Sequence, residues 1–375
     1  MCVVGPGTRF LSGITYYTYS LIEALGEAGH QCSAVLIRQL VPTRFYPGRA
    51  RVGGDLTELR LPPDVPRVDG VDWYWGPSLI RAIAFLRRER PQVLVLQWWT
   101  GAVLHTYLVL ALVARLRGAK VVVEFHEAQD VGEAGLPLVA RYTDLLGRSL
   151  LRLAAARLVH SEFDRALIED RYGGTGAGDV ALVPHAGYDY LPSRPPLRDA
   201  PAEVINLLFF GIIRPFKGVE DFIAAADLLG EDRSRFWFTV VGETWEGWDL
   251  PERLIAESPQ RDRITFVNRY VTDAEAAGYF AGADVVVLPY HRSSSSGPLQ
   301  IAMAAGLPIV ATRVGGLVEA TAHYPGVMLA EPSDPASLAD AVLRAAELVG
   351  RRFQGVTTWA DTARSYTELF DGILP

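Results

Sequence analysis

Residues 284–316 read DVVVLPYHRSSSSGPLQIAMAAGLPIVATRVGG and decide the fold class. The apolar run at 285–288 predicts a buried strand, and a polar loop with four serines follows it. A helix is predicted to open at Gly297, with Pro298 in the first helical position that proline favours. A second strand is predicted at 309–312. Strand, loop, helix and strand in this order indicate an α/β unit with a parallel sheet.

The loop before this helix has the features of an anion site. The N-terminus of a helix offers backbone N–H groups and the positive end of the helix dipole, and small side chains let a phosphate approach. Loops of this kind also occur in α/β folds without a ligand, so the loop alone leaves both interpretations open. The predicted contacts of a phosphate-bearing ligand are Ser295, Ser296, Gly297 and Leu299.

Composition places the chain among globular proteins of about two domains. It has 375 residues, of which 49% are hydrophobic and 21% charged. The net charge of −7 argues against a non-specific nucleic-acid binder. The two cysteines, Cys2 and Cys32, flank apolar segments and are typical of reduced thiols in a cytoplasmic protein.

Membrane contact is considered for two segments. The apolar stretch 107–116 is too short to span a bilayer, which takes about 20 residues. A helix predicted at 138–155 carries apolar residues with Arg141, Arg148, Arg152 and Arg157 around them. It is either a helix lying on the inner face of a membrane or an ordinary surface helix with one core-facing stripe.

Short apolar strands alternate with helical patterns twice along the chain. The segment 191–203, LPSRPPLRDAPAE, separates the two series and reads as a linker, and residues 45–76 read as loops. We therefore predict an N-terminal domain at 1–195, joined by a C-terminal helix at 358–375, and a second domain at 196–357. Both are expected to be Rossmann-like and to face a central cleft, with ligands at the carboxyl ends of the strands.

Two cations lie in the first loop of the second domain. Gly211 ends the strand predicted at 205–210, and Arg214 and Lys217 follow in the loop. Such a pair on its own is usually solvated. Beside the serine loop of an adjacent strand, the two side chains suit a diphosphate group.

Several motifs together give the chain a resemblance to the family-4 glycosyltransferases of the GT-B fold. They are GIIRPFKGVEDFIAA (211–225), VVGE (240–243), FAGADVVVLPY (280–290), AMAAGLPIVATRVGGLVE (302–319), VVVEFHE (121–127), HSEFDRALIEDRYG (160–173) and VPHAGYD (183–189). The resemblance covers nearly the whole chain, and the combination is specific where each motif alone is not.

The resemblance implies that the second domain holds a nucleotide-diphosphate sugar, a UDP- or GDP-sugar. Arg214 and Lys217 would bind the diphosphate with the backbone around Ser296, and His126 would face the donor sugar. Gly13 would leave room for the phosphates and an acceptor, and the base would stack near Asn268 to Val271. The remaining implied nucleotide contacts are Gly211, Gly242 and Gln300.

The implied reaction is hexosyl transfer to a hydroxyl group of a glycan, lipid or small molecule, with retention of the anomeric configuration. The leaving phosphate would take the acceptor's proton, so neither a general base nor a cofactor is required. Cations and a helix dipole would neutralise the diphosphate. Because no D-x-D set and no clustered His or Cys ligands are expected, we predict a metal-independent enzyme.

The chain departs from the family at two positions. Arg292 and Gln300 stand where the family usually has glutamates, and the second of these glutamates accepts hydrogen bonds from the ribose. This leaves open a catalytically silent, nucleotide-sugar-binding partner subunit, or a GT-B phosphorylase or epimerase. A dinucleotide-dependent oxidoreductase is disfavoured, because GPGTRFLSG (5–13) lacks the G-x-G-x-x-G spacing.

Overall fold

A computed structural model describes residues 1–9, 11–39, 56–72, 76–127, 137–173, 180–229, 235–245 and 247–375. The chain forms two compact units, one of Met1–Ala186 with Thr357–Pro375 and the other of Gly187–Val356. The first break lies before the Pro-rich segment, whereas the sequence-based boundary at residue 195 lay inside it.

The first unit is built on a parallel sheet. Its seven described strands follow the order β3-β2-β1-β4-β5-β6-β7. The strands are β1 Cys2–Pro6, β2 Ser33–Gln39, β3 Arg67–Asp72, β4 Val93–Trp98, β5 Lys120–Phe125, β6 Ala156–Val159 and β7 Val180–Leu182. The helices between them are α1 Gly13–Glu27, α2 Pro77–Glu89, α3 Leu104–Arg115, α4 Pro137–Leu151 and α5 Glu162–Tyr172.

The second unit repeats this plan with six described strands in the order β10-β9-β8-β11-β12-β13, all parallel. The strands are β8 Ile205–Phe210, β9 Phe236–Val241, β10 Ile264–Val267, β11 Val285–Leu288, β12 Ile309–Thr312 and β13 Val327–Ala330. The helices are α6 Val219–Leu228, α7 Leu250–Glu257, α8 Asp273–Gly282, α9 Gly297–Ala304, α10 Gly315–Thr321 and α11 Pro335–Ala346. A last helix, α12 Trp359–Ile373, belongs to the first unit.

Both faces of the first sheet are buried, which explains its continuous apolar strands. In β1, Val4 belongs to the larger core cluster, while Val3 packs in a smaller one with Tyr19 and Ile22 of α1. Side chains alternate between the faces of a strand, so a strand covered on both sides needs apolar residues throughout. The α/β fold with two Rossmann-like sheets, predicted from these runs, is confirmed.

The helix predicted at 138–155 is shorter than expected. Helix α4 ends at Leu151, and Arg157 lies buried in β6 instead of on the helix surface. Arg148 pairs with Asp144 and donates to the carbonyl oxygen of Arg171. Within the described part of the chain, no helix has the length and apolar character needed to cross a membrane.

Candidate active site

In the second unit, two loops leave the same edge of the sheet. Strands β8 and β11 are parallel neighbours, so the loops that follow them, residues 211–218 and 289–296, lie side by side. The first carries Arg214 and Lys217, and the second carries the four serines. The topology therefore brings the predicted cations and the predicted anion loop together, as the strand order requires.

Lys217 is linked to the serine loop through Tyr290. Its Nζ lies 3.6 Å from the centre of the Tyr290 ring, a cation–π contact. The Tyr290 hydroxyl lies 3.3 Å from the Oγ of Ser296. Tyr290 is buried, so it holds the ammonium group and the helix start in a fixed relation to each other.

Three cations surround Phe216. The charged ends of Arg214, Lys217 and Arg292 lie 5.9, 5.7 and 5.0 Å from the centre of its ring. The Arg214 guanidinium also lies 4.1 Å from the centre of the Trp245 ring. Arg292 therefore adds a third positive charge to the predicted diphosphate site, where the family usually has a glutamate.

The start of α9 differs from the prediction. The N-cap is Ser296 and not Gly297, because the Ser296 Oγ accepts a hydrogen bond from the Leu299 N–H, which a glycine cannot do. Pro298 is therefore the second helical residue and Gln300 the fourth. An anion at this helix would reach the Leu299 N–H only by sharing or replacing the Ser296 cap.

Gln300 has a buried acceptor. The residue is 2% exposed, and among the described residues its side-chain Oε1 has no hydrogen-bond partner. Buried polar atoms of this kind normally have a partner, so an orphaned acceptor needs an explanation. A hydroxyl group of a bound ligand would supply the missing donor, which favours the predicted ribose contact.

Glycines hold the loops of the second unit close together. A methyl group at Gly242 would collide with the carbonyl group of Gly211, and one at Gly211 would come close to the Pro298 ring. A methyl group at Gly218, whose φ is 67°, would collide with the carbonyl oxygen of Pro289. These glycines therefore have a packing role, independent of any nucleotide contact.

The predicted base-binding residues are partly committed to protein contacts. The Asn268 Oδ1 accepts from the Thr244 N–H at 2.9 Å, and its Nδ2 donates to Glu252 at 2.7 Å. Val271 is buried. The side-chain amide of Asn268 is thus already engaged by the protein, and the stacking of a base near Asn268 to Val271 stays a prediction.

In the first unit, Gly13 is the first residue of α1, after the N-cap Ser12. A methyl group at Gly13 would meet no described atom within 4 Å. The space expected from the sequence is present among the described residues, and its use by phosphates or an acceptor stays a prediction.

His126 follows β5 and is buried in a polar cluster of the first unit. Its Nε2 lies 3.5 Å from the Oε1 of Glu124, and the Nε2 of His160 lies 3.3 Å from the same oxygen. The Tyr17 ring packs against the imidazoles of His126, His160 and His185. The expectation of no clustered metal-ligating side chains is therefore wrong, because parallel strand ends bring Glu124, His126 and His160 together.

Glu124 is buried, yet its two histidine neighbours favour the ionised form of its carboxyl group. Burial alone raises the pKa of Glu124, but His126 and His160 more than offset this and hold the pKa well below its ordinary value. Burial lowers the pKa of His126 against the opposing effect of Glu124, whereas for His160 the nearby Glu124 carboxylate outweighs burial and raises the pKa. His185 has its pKa lowered to about 3, first by burial and then by His160.

The sequence analysis named the cations and His126 as candidates, but it did not single out the residues that surround them in the structure. In the second unit the missed residues include Phe216, Tyr290 and His291, which bonds Asp221 of α6 at 2.7 Å. In the first unit they are Glu124 and His160. The available signal was positional, because Glu124 and His160 lie at the carboxyl ends of adjacent strands.

Two family models match the chain. The "Glycosyl transferase 4-like domain" matches residues 12–186, and "Glycosyl transferases group 1" matches residues 205–347. The chain is 31% identical over 232 residues to a D-inositol 3-phosphate glycosyltransferase of Arthrobacter, an alignment covering 52% of this chain and 55% of that protein. It is 27% identical to the 2-deoxystreptamine glucosyltransferase of Streptomyces kanamyceticus, with 86% of each chain covered.

The chain spans about 55 to 65% of the length of the first three curated relatives it matches. Among solved structures, it resembles the sucrose-phosphate synthase of Thermosynechococcus elongatus with a TM-score of 0.65 and 18% identity, covering 100% of this chain and 96% of that one. It also resembles Anabaena HepE in complex with UDP and glucose, with a TM-score of 0.64 and 15% identity, covering 99% and 100%. With both units matched by glycosyltransferase models, the chain belongs to the family-4 glycosyltransferases of the GT-B fold.

Proposed function

We propose that this protein is a retaining glycosyltransferase that moves a hexosyl group from a nucleotide-diphosphate sugar to a hydroxyl acceptor. The observation that carries the proposal is the cluster of Arg214, Lys217 and Arg292 around Phe216, beside the N-terminus of α9. Cations and a helix N-terminus stabilise a phosphate that gains charge as it leaves.

In the proposed reaction, the bond between the anomeric carbon and the diphosphate oxygen breaks, and the acceptor oxygen bonds to that carbon on the same face. The acceptor's proton passes to the leaving diphosphate. Arg214 and Lys217 neutralise the diphosphate, and Gln300 accepts a hydrogen bond from the ribose. His126 contacts the donor sugar, with the ring nitrogen that does not face Glu124.

A UDP-sugar is the first donor to test, since a structural neighbour holds UDP and glucose. The names of two relatives point to a polyhydroxylated ring as the acceptor, an inositol phosphate in one case and 2-deoxystreptamine in the other. A GDP-sugar belongs in the same assay, because the resemblance to the family leaves the nucleotide base open.

The proposal is tested by donor hydrolysis and transfer with purified protein. Lys217→Ala and Arg214→Ala are each expected to lower kcat/KM by roughly 30- to 1,000-fold, the usual effect of losing a contact to a developing anion. Arg235→Ala is the matched control, because Arg235 forms an exposed ion pair with Glu347 elsewhere on this unit. Nucleotide-sugar binding without turnover would instead favour the silent partner subunit, and near-wild-type rates in both variants would remove the two cations from the site.

Contact with a membrane surface is the second partner that the structure supports, through a surface formed by α3 and α4. The Nδ1 of His105 and the hydroxyl of Tyr142 lie 2.7 Å apart, and Arg115 donates to the Leu153 carbonyl, so the two helices lie side by side. The exposed leucines of these two helices are Leu112, Leu138 and Leu145, and Leu116, which follows α3, is exposed as well. The exposed cations beside them are Arg115, Arg117, Arg141 and Arg152. Leucines among arginines suit an anionic lipid surface, and we retain a cytoplasmic location as part of this proposal.

A further inference from the structure

Three buried side-chain atoms of the first unit converge without being bonded to one another. They are the Glu124 Oε1, the His126 Nε2 and the His160 Nε2, and the two nitrogens lie 3.5 and 3.3 Å from the oxygen. Ligand atoms of the three residues all lie within 4.8 Å of one another. The three side chains are 0, 3 and 4% exposed. Among the described residues none of the three atoms has a hydrogen-bond partner. Three neighbouring polar atoms without partners are accounted for together by one shared partner, since leaving them unsatisfied costs free energy.

An ordinary ion pair does not account for the geometry. A charge-assisted N–H···O bond has its heavy atoms about 2.7–2.9 Å apart. Here the two nitrogens lie 3.5 and 3.3 Å from the carboxylate oxygen, and neither contact is aligned as a hydrogen bond. Two ligand atoms that each lie about 2.0–2.1 Å from a tetrahedral zinc ion are roughly 3.3–3.4 Å apart, which matches both distances.

The surrounding contacts orient two of the three atoms, those of His160 and Glu124, for ligation. The His160 Nδ1 lies 2.9 Å from the Val183 carbonyl oxygen and donates to it, which leaves the lone pair on Nε2. Gln97 donates to the Glu124 Oε2 at 3.2 Å, which leaves Oε1 to face the histidines. Outer hydrogen bonds of this kind fix the tautomer and orientation of metal ligands. The hydrogen bonds to the His160 Nδ1 and the Glu124 Oε2 thus leave the facing atoms of these two side chains available to a metal ion.

We propose that Glu124, His126 and His160 bind one divalent transition-metal ion, with zinc the best match to two imidazoles and a carboxylate. Its ligands come from β5 and from the residues that follow β5 and β6, so the ion would tie two neighbouring strand ends together. Its three ligands all belong to the first unit, whereas the residues proposed to bind the diphosphate belong to the second. Binding of the ion would stabilise the first unit and fix the His126 ring.

Metal binding to the full-length protein, purified without a histidine tag, tests this site. After treatment with a chelator and its removal, titration with zinc sulfate is expected to saturate at one ion per chain and to raise Tm. Co²⁺ in place of zinc is expected to give the visible absorption of a tetrahedral site. Failure of zinc to bind stoichiometrically or to shift Tm would overturn the proposal, since a metal-free Glu–His pair predicts no such response.

Variants locate the ion. Glu124→Gln and His160→Gln are expected to lose more than about 100-fold in zinc affinity, since even outer-contact changes cost about 10- to 100-fold. His105→Gln is the control, because His105 lies on the same unit and bonds Tyr142 at the protein surface. Circular dichroism checks that the variants fold. If the variants do not fold, the zinc titration of the wild-type protein tests the site by itself. Unchanged zinc affinity in folded Glu124→Gln and His160→Gln would place the ion elsewhere and refute the assignment.

Discussion

At the scale of single residues, Gln300 is the residue proposed to contact the ribose. Its Oε1 is a buried acceptor with no partner among the described residues, and a ribose hydroxyl would supply the missing donor. Gln300→Ala is therefore expected to weaken nucleotide binding by about 0.5–1.5 kcal/mol, the net value of one neutral hydrogen bond. Calorimetric titration with free UDP and GDP measures this.

Gln300→Glu is the companion change, and the structure sets two effects against each other. A carboxylate accepts more strongly than an amide, and it lies in the first turn of α9, where the helix dipole favours negative charge. Against this, a residue only 2% exposed would bury that charge in the empty site. We expect the first effect to prevail, with affinity equal to or above wild type. If the alanine variant binds as tightly as glutamine, the side chain does not touch the ribose.

The sequence predicted the charged residues of the candidate site better than their surroundings. Arg214 and Lys217 follow from strand order, because loops after neighbouring parallel strands must share an edge. The packing of Arg292 on Phe216 depends on rotamers and loop shape, which no period in the sequence encodes. The N-cap of α9 was not predictable for a similar reason. Both Ser296 and Gly297 are common N-cap residues, and only the hydrogen bond from the Leu299 N–H to the Ser296 side chain identifies Ser296 as the cap.

At the scale of elements, Gly218 joins α6 to the loop 211–218, which carries Arg214 and Lys217. Its φ of 67° disfavours other residues, and a side chain would collide with the Pro289 carbonyl oxygen. Gly218→Ala is expected to lower the free energy of unfolding by about 2–5 kcal/mol, the sum of backbone strain and overpacking. Urea unfolding measures it.

Gly350→Ala separates the two causes of that loss. Gly350 also has a positive φ, 83°, but a methyl group there would meet no described atom within 4 Å. This control is expected to cost only the strain, about 1–2 kcal/mol. Equal losses in the two variants would show that the approach of Pro289 to Gly218 has no energetic consequence.

The strands and helices that the sequence did not predict have physical reasons for being hard to recognise. Strands β3, β7 and β13 lie at sheet edges, where one side of the backbone is unpaired and fewer side chains are buried. The edge strand β3 reads RVDGVD, so it lacks the continuous apolar run that marks β11. Central strands were predictable because burial on both faces dictates their composition. Short helices such as α7 and α10 have too few turns to show a period.

The α3 and α4 surface gives a prediction about lipid binding. Leu138 and Leu145 of α4 are 83 and 65% exposed, beside Arg141 and Arg152. The double variant Leu138→Glu/Leu145→Glu is expected to lose most of its binding to vesicles that contain anionic lipid, because it removes apolar area and adds charge repulsion. Sedimentation with such vesicles measures it. Leu228→Glu, on an exposed helix position of the other unit, is the control, and wild-type protein that stays in the supernatant would exclude the surface.

At the scale of the whole molecule, the proposed zinc site and the proposed metal independence of transfer concern different units. The proposed zinc ligands lie in the first unit, and the cations expected to neutralise the diphosphate lie in the second. In the proposed site, three cations and a helix N-terminus would supply the positive charge that Mg²⁺ or Mn²⁺ provides in other phosphate-transfer sites. Transfer is therefore expected to be independent of both ions, within about twofold of the rate without them.

Chelation alone would not test that independence, because a chelator would also remove zinc from the first unit and lower its stability. The decisive assay keeps the protein loaded with zinc and varies only Mg²⁺ and Mn²⁺, with initial transfer rates as the readout. Lys217→Ala in the same assay shows whether either ion replaces the missing charge. A strong requirement for Mg²⁺ or Mn²⁺ in the zinc-loaded wild type would mean that a metal, and not Arg214 and Lys217, carries the diphosphate charge. Partial rescue of Lys217→Ala by Mg²⁺, with no effect on the wild type, would instead show that the Lys217 ammonium group neutralises the diphosphate in the wild type.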